Sequence, residues 1–224
     1  MKGIHICSNL EWKSVLSICQ PKKCEVSPYG SYFIHQFEHW EEPAVVYFSG
    51  YSKVMAAGAA QFMIDHFNLS HIIVAGSSGG VAPYLEPLDV IIANETVIYD
   101  CIDRLELQAE LFCEPFKTLI NLEWLNDSLL PEKTYVGRVA TADQDIDYAV
   151  KQLLQPENVL VADWESGAVA LVCKLNEIQI TIFRGVSDVP KEGLSQEAQT
   201  LQYQTNTPKL MKRIFEKYLN LIDN

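Results

Sequence analysis

Short apolar runs alternate with helical patterns along most of this chain of 224 residues. Such an alternation is typical of strands crossed over by helices, and it argues against a helical bundle or a β-meander. No repeat, low-complexity tract or linker divides the pattern, so residues 1–224 are predicted to form a single α/β domain. Strands are predicted at residues 2–7, 32–39, 44–48, 71–75, 88–98, 135–141, 158–162 and 179–184, and helices at residues 11–18, 54–67, 146–154, 166–175 and 208–221. Residues 20–29 are expected to form a loop, and residues 100–133 follow neither period.

The charge balance excludes two classes of partner. The chain has 17 basic and 29 acidic residues, which gives a formal net charge of −12. Such a surface repels phosphate backbones and anionic lipid, so neither nucleic acid nor a membrane is an expected partner. No apolar run approaches the roughly 18 residues that a membrane-spanning helix needs.

Cysteine usage indicates a reducing compartment. The six cysteines have no secretion signal before them, so free thiols and a cytoplasmic location are expected. Cys19 and Cys24 lack the two-residue spacing of a zinc knuckle or a redox motif, so no metal site is expected.

Polar residues follow four of the predicted strands. In open α/β sheets, ligands gather at the carboxyl ends of strands, so these loops are the candidate site. If the edges meet, the carboxylates of these loops and a glycine-rich backbone converge on one pocket. The four groups are Ser8, Asn9 and Glu11; Gly76, Ser77, Ser78, Gly79 and Gly80; Asp163, Trp164 and Glu165; and Gly185, Val186, Ser187 and Asp188.

The glycine-rich segment at residues 76–80 has two interpretations by itself. Its backbone amides could form a nest for an anion, or a tight turn could let another element pack on the sheet. It lacks the lysine of a Walker loop and the glycine spacing of a dinucleotide fingerprint. Neither ATP nor NAD is therefore an expected ligand.

Four stretches carry a resemblance to a known family: FSGYSKVMAAGAAQFMIDHF, VAGSSGGVAPYLEPLDVIIA, VADWESGAVALVC and FRGVSDVP. They follow, in order, a Ser-Gly-x-Gly-Lys helix entry, a Gly-Ser-Ala-Gly-Gly strand with a later Gly-Asp strand, a Glu-Met-Glu helix start and an Arg-x-x-Ser-Asp strand end. Ser52 and Leu88 stand where the family has glycine. The chain thus resembles the nucleoside phosphorylase/nucleosidase superfamily, and most of all bacterial 5′-methylthioadenosine/S-adenosylhomocysteine nucleosidases. The likeness is good at residues 45–98 and 134–190 and nearly absent at residues 99–133.

The resemblance implies a fold and a division of roles. The fold would be a three-layer sandwich with a central twisted mixed sheet flanked by helices, and the protein would be a homodimer. Asp188 matches the general acid that protonates the purine's imidazole ring, and Ser187 beside it orients that contact. Glu165 matches the carboxylate that holds the ribose hydroxyls, and Glu11 matches the glutamate that activates water. Proton transfer and water suffice for such a cleavage, so no cofactor is expected.

Further positions follow from the same resemblance, and some of them depart from the family. Arg184 and Ser77 match residues at the water and ribose face, and Ile146 lies where the backbone contacts adenine. Trp164 replaces a methionine under the sugar, where its ring could stack or narrow the cavity. Asp145 lies about where an aromatic ring sandwiches the base, and an anion cannot stack. The nucleoside and its 5′ substituent are therefore left open.

Each role has a structural alternative that the sequence leaves open. Asp188 precedes Val189 and Pro190, so it could simply begin a turn. Glu165 and Glu11 could be helix-start carboxylates that the helix dipole favours. Arg184 could be an ordinary strand-end ion pair, and Ser77 carries no motif of its own.

The arginine positions favour water over phosphate as the attacking group. The related phosphorylases place arginines in the N-terminal loop and just before the glycine-rich segment. This chain has Arg104, Arg138, Arg184 and Arg213, none of them at either place, whereas its N-terminal loop offers Glu11. A carboxylate repels phosphate but can activate water.

The resulting expectation is a purine nucleosidase for 5′-substituted adenosines of the methylthioadenosine and adenosylhomocysteine type. Aminofutalosine hydrolysis, purine nucleoside phosphorolysis and nucleoside binding without turnover stay open as alternatives, and a purely structural protein is disfavoured by the three carboxylates.

Overall fold

Strands and helices alternate as the sequence predicts. The computed structural model describes residues 1–102 and 112–222. The strands in these residues are Lys2–Ile6 (β1), Glu25–Ser27 (β2), Gly30–His35 (β3), Ala44–Phe48 (β4), His71–Gly80 (β5), Val90–Ile98 (β6), Lys117–Leu119 (β7), Thr134–Thr141 (β8), Val159–Asp163 (β9) and Gln179–Asp188 (β10). The α-helices are Asn9–Cys19 (α1), Lys53–Phe67 (α2), Tyr148–Leu154 (α3), Ser166–Leu175 (α4) and Gln196–Arg213 (α5).

The strands form one mixed sheet that curls partly on itself. Their order is β10-β6-β8-β9-β5-β1-β4-β3-β2, and β7 lies beside β6. A further pairing joins β5 to β10, so β5, β10, β6, β8 and β9 close into a loop of strands. β5 runs parallel to both β1 and β10, which brings the carboxyl ends of these three strands to one edge of the sheet.

Two hydrophobic cores lie on opposite faces of this sheet and make the three layers. One is shared with α2 and α4 and the other with α1 and α5. Along β4, Val45 and Tyr47 face the first core, while Ala44 and Val46 face the second. This alternation follows from the two-residue period of a strand and explains why the predicted strands read as continuous apolar runs. The expected three-layer α/β sandwich is confirmed.

The glycine-rich segment at residues 76–80 is not a turn, which corrects the interpretations based on sequence. β5 runs through it to Gly80 and pairs with β10 as far as the partners Gly79 and Asp188. The residues are extended because β10 lies alongside: Ser187 Oγ lies 3.1 Å from the carbonyl oxygen of Ser78. Glycine is needed at position 76 because a side chain there would overlap the Arg184 guanidinium.

The last helix starts earlier than predicted. α5 begins at Gln196, where the side chain of Ser195 accepts a hydrogen bond from the Ala198 backbone N–H, and Pro208 lies inside the helix rather than at its start. The first half of α5 is rich in glutamine and has few apolar residues, so it shows no clear helical period. A π-helical turn and a 3-10 turn continue the helix to Leu221.

Smaller corrections concern boundaries. The predicted loop at residues 20–29 contains β2, which forms a hairpin with β3. The predicted strand at residues 32–39 ends at His35, and the predicted helix at residues 146–154 begins only at Tyr148, after an Asp147 cap. Residues 103–111, with Arg104, lie outside the described residues.

All six cysteine thiols are unpaired, as expected. None of the helices formed by residues 1–102 and 112–222 combines the length and the apolar character needed to cross a bilayer.

Candidate active site

A cavity of about 770 Å³ opens where the carboxyl ends of β1, β5 and β10 meet, and this volume lies within the range of small-molecule sites. The structure brings seven of the eight predicted site residues to its wall: Glu11, Ser77, Ile146, Trp164, Glu165, Ser187 and Asp188. Arg184, the eighth, lies beneath the wall and does not line the cavity. The parallel pairing of the three strands is what places these distant parts of the chain together.

Glu11 stabilises the start of α1 and lines the cavity at the same time. Its Oε2 accepts a hydrogen bond from the Ser8 backbone N–H at 2.9 Å, which completes a capping box with the Ser8 side chain. Its Oε1 accepts from the Ser77 backbone N–H at 2.6 Å and from the Ser77 hydroxyl at 2.7 Å. These groups all donate, which suits an ionised carboxylate because that group only accepts. Glu11 is therefore a helix-start carboxylate, as the structural alternative holds, and it also lines the cavity.

Asp163 caps helix α4 in place of Glu165, so the Glu165 side chain is available to the cavity. Asp163 Oδ1 accepts from the backbone N–H groups of Glu165 and Ser166, both at 3.1 Å, and from the Thr141 hydroxyl at 2.6 Å. Glu165 occupies the N-cap position but makes no side-chain capping bond. Its buried carboxyl therefore faces the cavity instead of the helix backbone.

Arg184 is a fully buried cation that balances the carboxylates beneath the cavity. Its Nε lies 2.6 Å from Asp163 Oδ2 and 2.8 Å from Ser166 Oγ, and its Nη2 lies 3.5 Å from Glu165 Oε2. Arg184 therefore forms ion pairs, as its structural alternative in the sequence analysis expects. Burial nevertheless raises the pKa of Glu165 to about 8, although the Arg184 charge acts in the opposite direction. Asp163 and Glu11 add to the rise through their negative charges.

Asp188 ends β10 with a buried carboxyl group that has partners on both oxygens. Its Oδ1 lies 2.5 Å from Ser187 Oγ, and its Oδ2 accepts a hydrogen bond from Gln199 Nε2 at 2.8 Å. Burial raises the pKa of Asp188 above its ordinary value, and the negative charge of Asp145 adds to the rise. The bonds from Ser187 and Gln199 oppose it, because donors favour the ionised form. The residue is the last of a strand rather than the first of a turn.

Two of the departures from the family pattern, Trp164 and Asp145, line the cavity. Trp164 is half-buried, and its indole forms part of the wall next to Glu165. Asp145 is exposed and lies close enough to Asp188 to influence its proton affinity.

Helix α5 supplies site residues that the sequence analysis missed. Gln199 Nε2 donates to the carbonyl oxygen of Ile146 at 2.7 Å as well as to Asp188. The hydroxyl of Tyr203 donates to Ser8 Oγ at 3.0 Å and lines the cavity. Because α5 begins at Gln196, both residues lie in its first half, and both line the cavity. Placing the helix start at the Ser195 cap would have revealed them, since Gln199 and Tyr203 are four residues apart and share one face.

The cavity wall contains a candidate acid and a candidate base. Asp188 has a carboxyl group whose proton affinity is raised, and Glu11 has a carboxylate surrounded by donors. Of the described residues that line the cavity, Lys191 alone is a lysine or arginine, and it is exposed. Such a wall favours a neutral or cationic ligand over an anion.

Known proteins resemble this chain in sequence and in fold. Residues 10–222 match the sequence profile of the phosphorylase superfamily. A 5′-methylthioadenosine/S-adenosylhomocysteine nucleosidase from Shewanella frigidimarina is 30% identical over 156 residues, which are 64% of this chain and 67% of that protein. An aminodeoxyfutalosine nucleosidase from Campylobacter jejuni is 27% identical over 193 residues, 80% of this chain and 81% of that protein. The solved structure of an S-adenosylhomocysteine nucleosidase from Streptococcus pyogenes with 5-methylthiotubericidin has a TM-score of 0.81 at 20% identity, and the match covers 100% of this chain and 97% of that one.

Proposed function

Because the chain belongs to the phosphorylase superfamily, we propose that it is a purine nucleosidase that hydrolyses the N-glycosidic bond of 5′-substituted adenosines. Methylthioadenosine and adenosylhomocysteine are the first candidate substrates, since they occur in the names of its relatives. The observation that carries the proposal is that Glu11, Glu165 and Asp188 line one cavity.

Asp188 acts as the general acid. Cleavage of the bond leaves electrons on the purine, which departs poorly as an anion, so a proton on its imidazole ring accelerates the step. Burial raises the pKa of Asp188 and so increases the fraction that carries a proton at neutral pH. Ser187, at 2.5 Å from its Oδ1, fixes the direction of the carboxyl group.

Glu11 acts as the general base that removes a proton from water. The Ser77 hydroxyl, which donates to Glu11 Oε1 at 2.7 Å, keeps a lone pair that a water molecule can use. Water held there can attack the anomeric carbon of the sugar while its proton passes to the carboxylate. An acid on one side of the bond and a base on the other follow the logic of inverting glycosidases.

Glu165 binds the sugar hydroxyls. Its carboxyl group is held by α4 and by the nearby Arg184 guanidinium, at 3.5 Å, in a position that faces the cavity. A proton on Glu165 below its pKa of about 8 lets the group donate as well as accept, which matches a pair of hydroxyls. Trp164 next to it offers an apolar wall to the sugar.

Water is favoured over phosphate because the described wall of the cavity offers an anion a single cationic side chain, the exposed Lys191. Arg184 lies beneath the wall and is already paired with Asp163 and Glu165. Phosphate would meet the Glu11 carboxylate, and like charges at short range repel in a partly buried site. Hydrolysis therefore needs no phosphate.

Aminodeoxyfutalosine is the second candidate substrate, and one relative is named for its cleavage. Asp145 lines the cavity about where the family has an aromatic contact to the base, so the base contacts of this chain differ from the family pattern. Both candidates share the same bond and the same acid and base.

We also propose a cytoplasmic homodimer that acts in methionine salvage. Six unpaired thiols support the cytoplasm as the compartment. Tyr51 at the cavity, with Val54 and Ile102, forms a set of exposed apolar side chains (49%, 76% and 48% exposed) that a second copy could cover. The family resemblance supports both the dimer and the pathway.

The test is a chromatographic assay of base release. The purified protein is incubated with methylthioadenosine, adenosylhomocysteine, aminodeoxyfutalosine, adenosine and inosine, each with and without phosphate. Adenine release from a 5′-substituted adenosine at the same rate in both conditions is expected. Release that requires phosphate would replace the hydrolase with a phosphorylase, and nucleoside binding without any release would indicate a non-catalytic relative.

A further inference from the structure

The carboxamide of Gln199 bridges two acceptors at the inner wall of the cavity. Its Nε2 donates to the Ile146 carbonyl oxygen at 2.7 Å and to Asp188 Oδ2 at 2.8 Å. A planar NH₂ group with two hydrogens is what this pair of acceptors requires, because each of them needs a donor. The amino group of adenine is also a planar NH₂ group with two hydrogens.

Adenine placed with its amino group on these acceptors would also present the correct atom to the acid. The imidazole nitrogen of adenine lies beside its amino group, so it would face the Asp188 carboxyl group. A purine with an oxo group in the same place would set a third acceptor against two others, which is repulsive. The two acceptors therefore select an aminopurine.

Adenine and the Gln199 amide cannot occupy this position together. We propose that Gln199 is a positioning residue that the base displaces: its amide nitrogen holds the two acceptors of the base subsite until the amino group of the purine takes its place. This inference rests on the proposed function. Gln199 is only half-buried and lies on the cavity face of α5, so its side chain can rotate away without a change in the helix.

The exchange would limit the influence of Gln199 on the acid to the free protein. In the free protein, the bond from Gln199 favours the ionised form of Asp188 and so lowers its pKa against the effect of burial. When the side chain leaves, Gln199 no longer acts on Asp188, and the amino group of the purine donates to the same oxygen in its place. The other charged groups around Asp188 are Asp145 before α3, Lys151 of α3, whose Nζ donates to the Pro190 carbonyl oxygen at 3.2 Å, and Lys191 after β10. All three stay in place when Gln199 is substituted.

The test compares Gln199→Leu with the matched control Gln204→Leu. Leucine has a similar size, favours helix and cannot donate a hydrogen bond. Gln204 is exposed on the same helix and does not line the cavity. The pH dependence of kcat/KM reports groups of the free enzyme, and that of kcat reports groups of the complex.

For Gln199→Leu we expect the alkaline limb of kcat/KM to move to higher pH, while the alkaline limb of kcat stays in place. Both limbs should stay in place in Gln204→Leu. A Gln199→Leu enzyme with both limbs unmoved would reduce Gln199 to a packing residue and overturn the inference. A shift of both limbs would mean that Gln199 stays on Asp188 in the complex, which would also overturn it.

Calorimetry with free adenine gives a second readout that needs no turnover. Because the base would no longer compete with the Gln199 bonds, Gln199→Leu should bind adenine more tightly, by about tenfold for one hydrogen bond to a charged group. Equal or weaker binding would contradict the displacement. If the wild-type protein releases no base from any nucleoside, the proposed function fails, and the adenine affinities still decide the role of Gln199.

Discussion

Substitution of Arg184 by methionine should lower the free energy of unfolding, because Arg184 balances the buried carboxylates of Asp163 and Glu165. The guanidinium is fully buried, with Asp163 Oδ2 at 2.6 Å and Glu165 Oε2 at 3.5 Å. Methionine can fill much of the space but leaves the carboxylates without a cation. Removal of one partner from a buried ion pair typically costs about 3–5 kcal/mol, because the remaining charge is left uncompensated.

The cost should also depend on pH in a defined direction. The pKa of Glu165 is about 8 in the folded protein, against 4.5 as its ordinary value, so the folded state binds the proton more tightly than the unfolded state. Its contribution to stability is complete below pH 4.5 and declines until the pH passes about 8. Arg184 lowers the pKa of Glu165, so the loss of Arg184 raises this pKa further. The stability contribution of Glu165 then goes on declining to a higher pH. The cost of Arg184→Met should therefore be larger at pH 9 than at pH 6.

Urea unfolding at pH 6 and pH 9 measures this, with Arg138→Met as the matched control. Arg138 pairs with Glu95 at 2.7 Å, but the two side chains are 28% and 16% exposed. Solvent weakens that pair, and its loss should cost no more than about 1 kcal/mol. If Arg184→Met costs no more than Arg138→Met, or if its cost is the same at both pH values, the account of Arg184 as the balancing cation is wrong.

Two further substitutions test the catalytic assignments. Glu11→Gln keeps the size of the side chain but removes the base, so kcat for adenine release should fall by about 100- to 10,000-fold, while calorimetry should show little change in adenine affinity. An unchanged kcat would exclude Glu11 as the base. Asp145→Asn removes a negative charge that raises the pKa of Asp188, so the alkaline limb of the kcat/KM profile should move to lower pH. A limb that stays in place or rises would show that Asp145 does not act on the acid.

The fold was largely predictable because continuous apolar runs mark most of the strands in the sequence. Continuous apolar runs such as the one in β4 are buried on both faces, and this pattern alone indicates a covered sheet. The extended conformation of residues 76–80 was not predicted, because a glycine-rich segment usually indicates a turn. Their extended conformation depends on β10, which lies far away in the chain and supplies the pairing partner.

The candidate site was predictable where it lies at strand ends and not where it comes from a helix face. Glu11 lies in the first turn of the helix after β1, and Asp188 ends β10, so their place in one cavity follows from parallel pairing. Gln199 and Tyr203 lie on a polar helix whose start the sequence pattern does not show, and only the packing of α5 against the sheet brings them to the cavity. Arg184 lies beneath the wall, where it pairs with Asp163, and the sequence pattern does not show this contact.

The central claim is that Asp188 donates a proton to the departing base, and Asp188→Asn tests it most directly. Asparagine keeps the shape of the side chain and can still bond to Ser187, but it has no acidic proton. The account predicts that adenine release from methylthioadenosine, measured by chromatography at neutral pH under saturating substrate, slows by about 100- to 10,000-fold. Release by Asp188→Asn at the wild-type rate would contradict it.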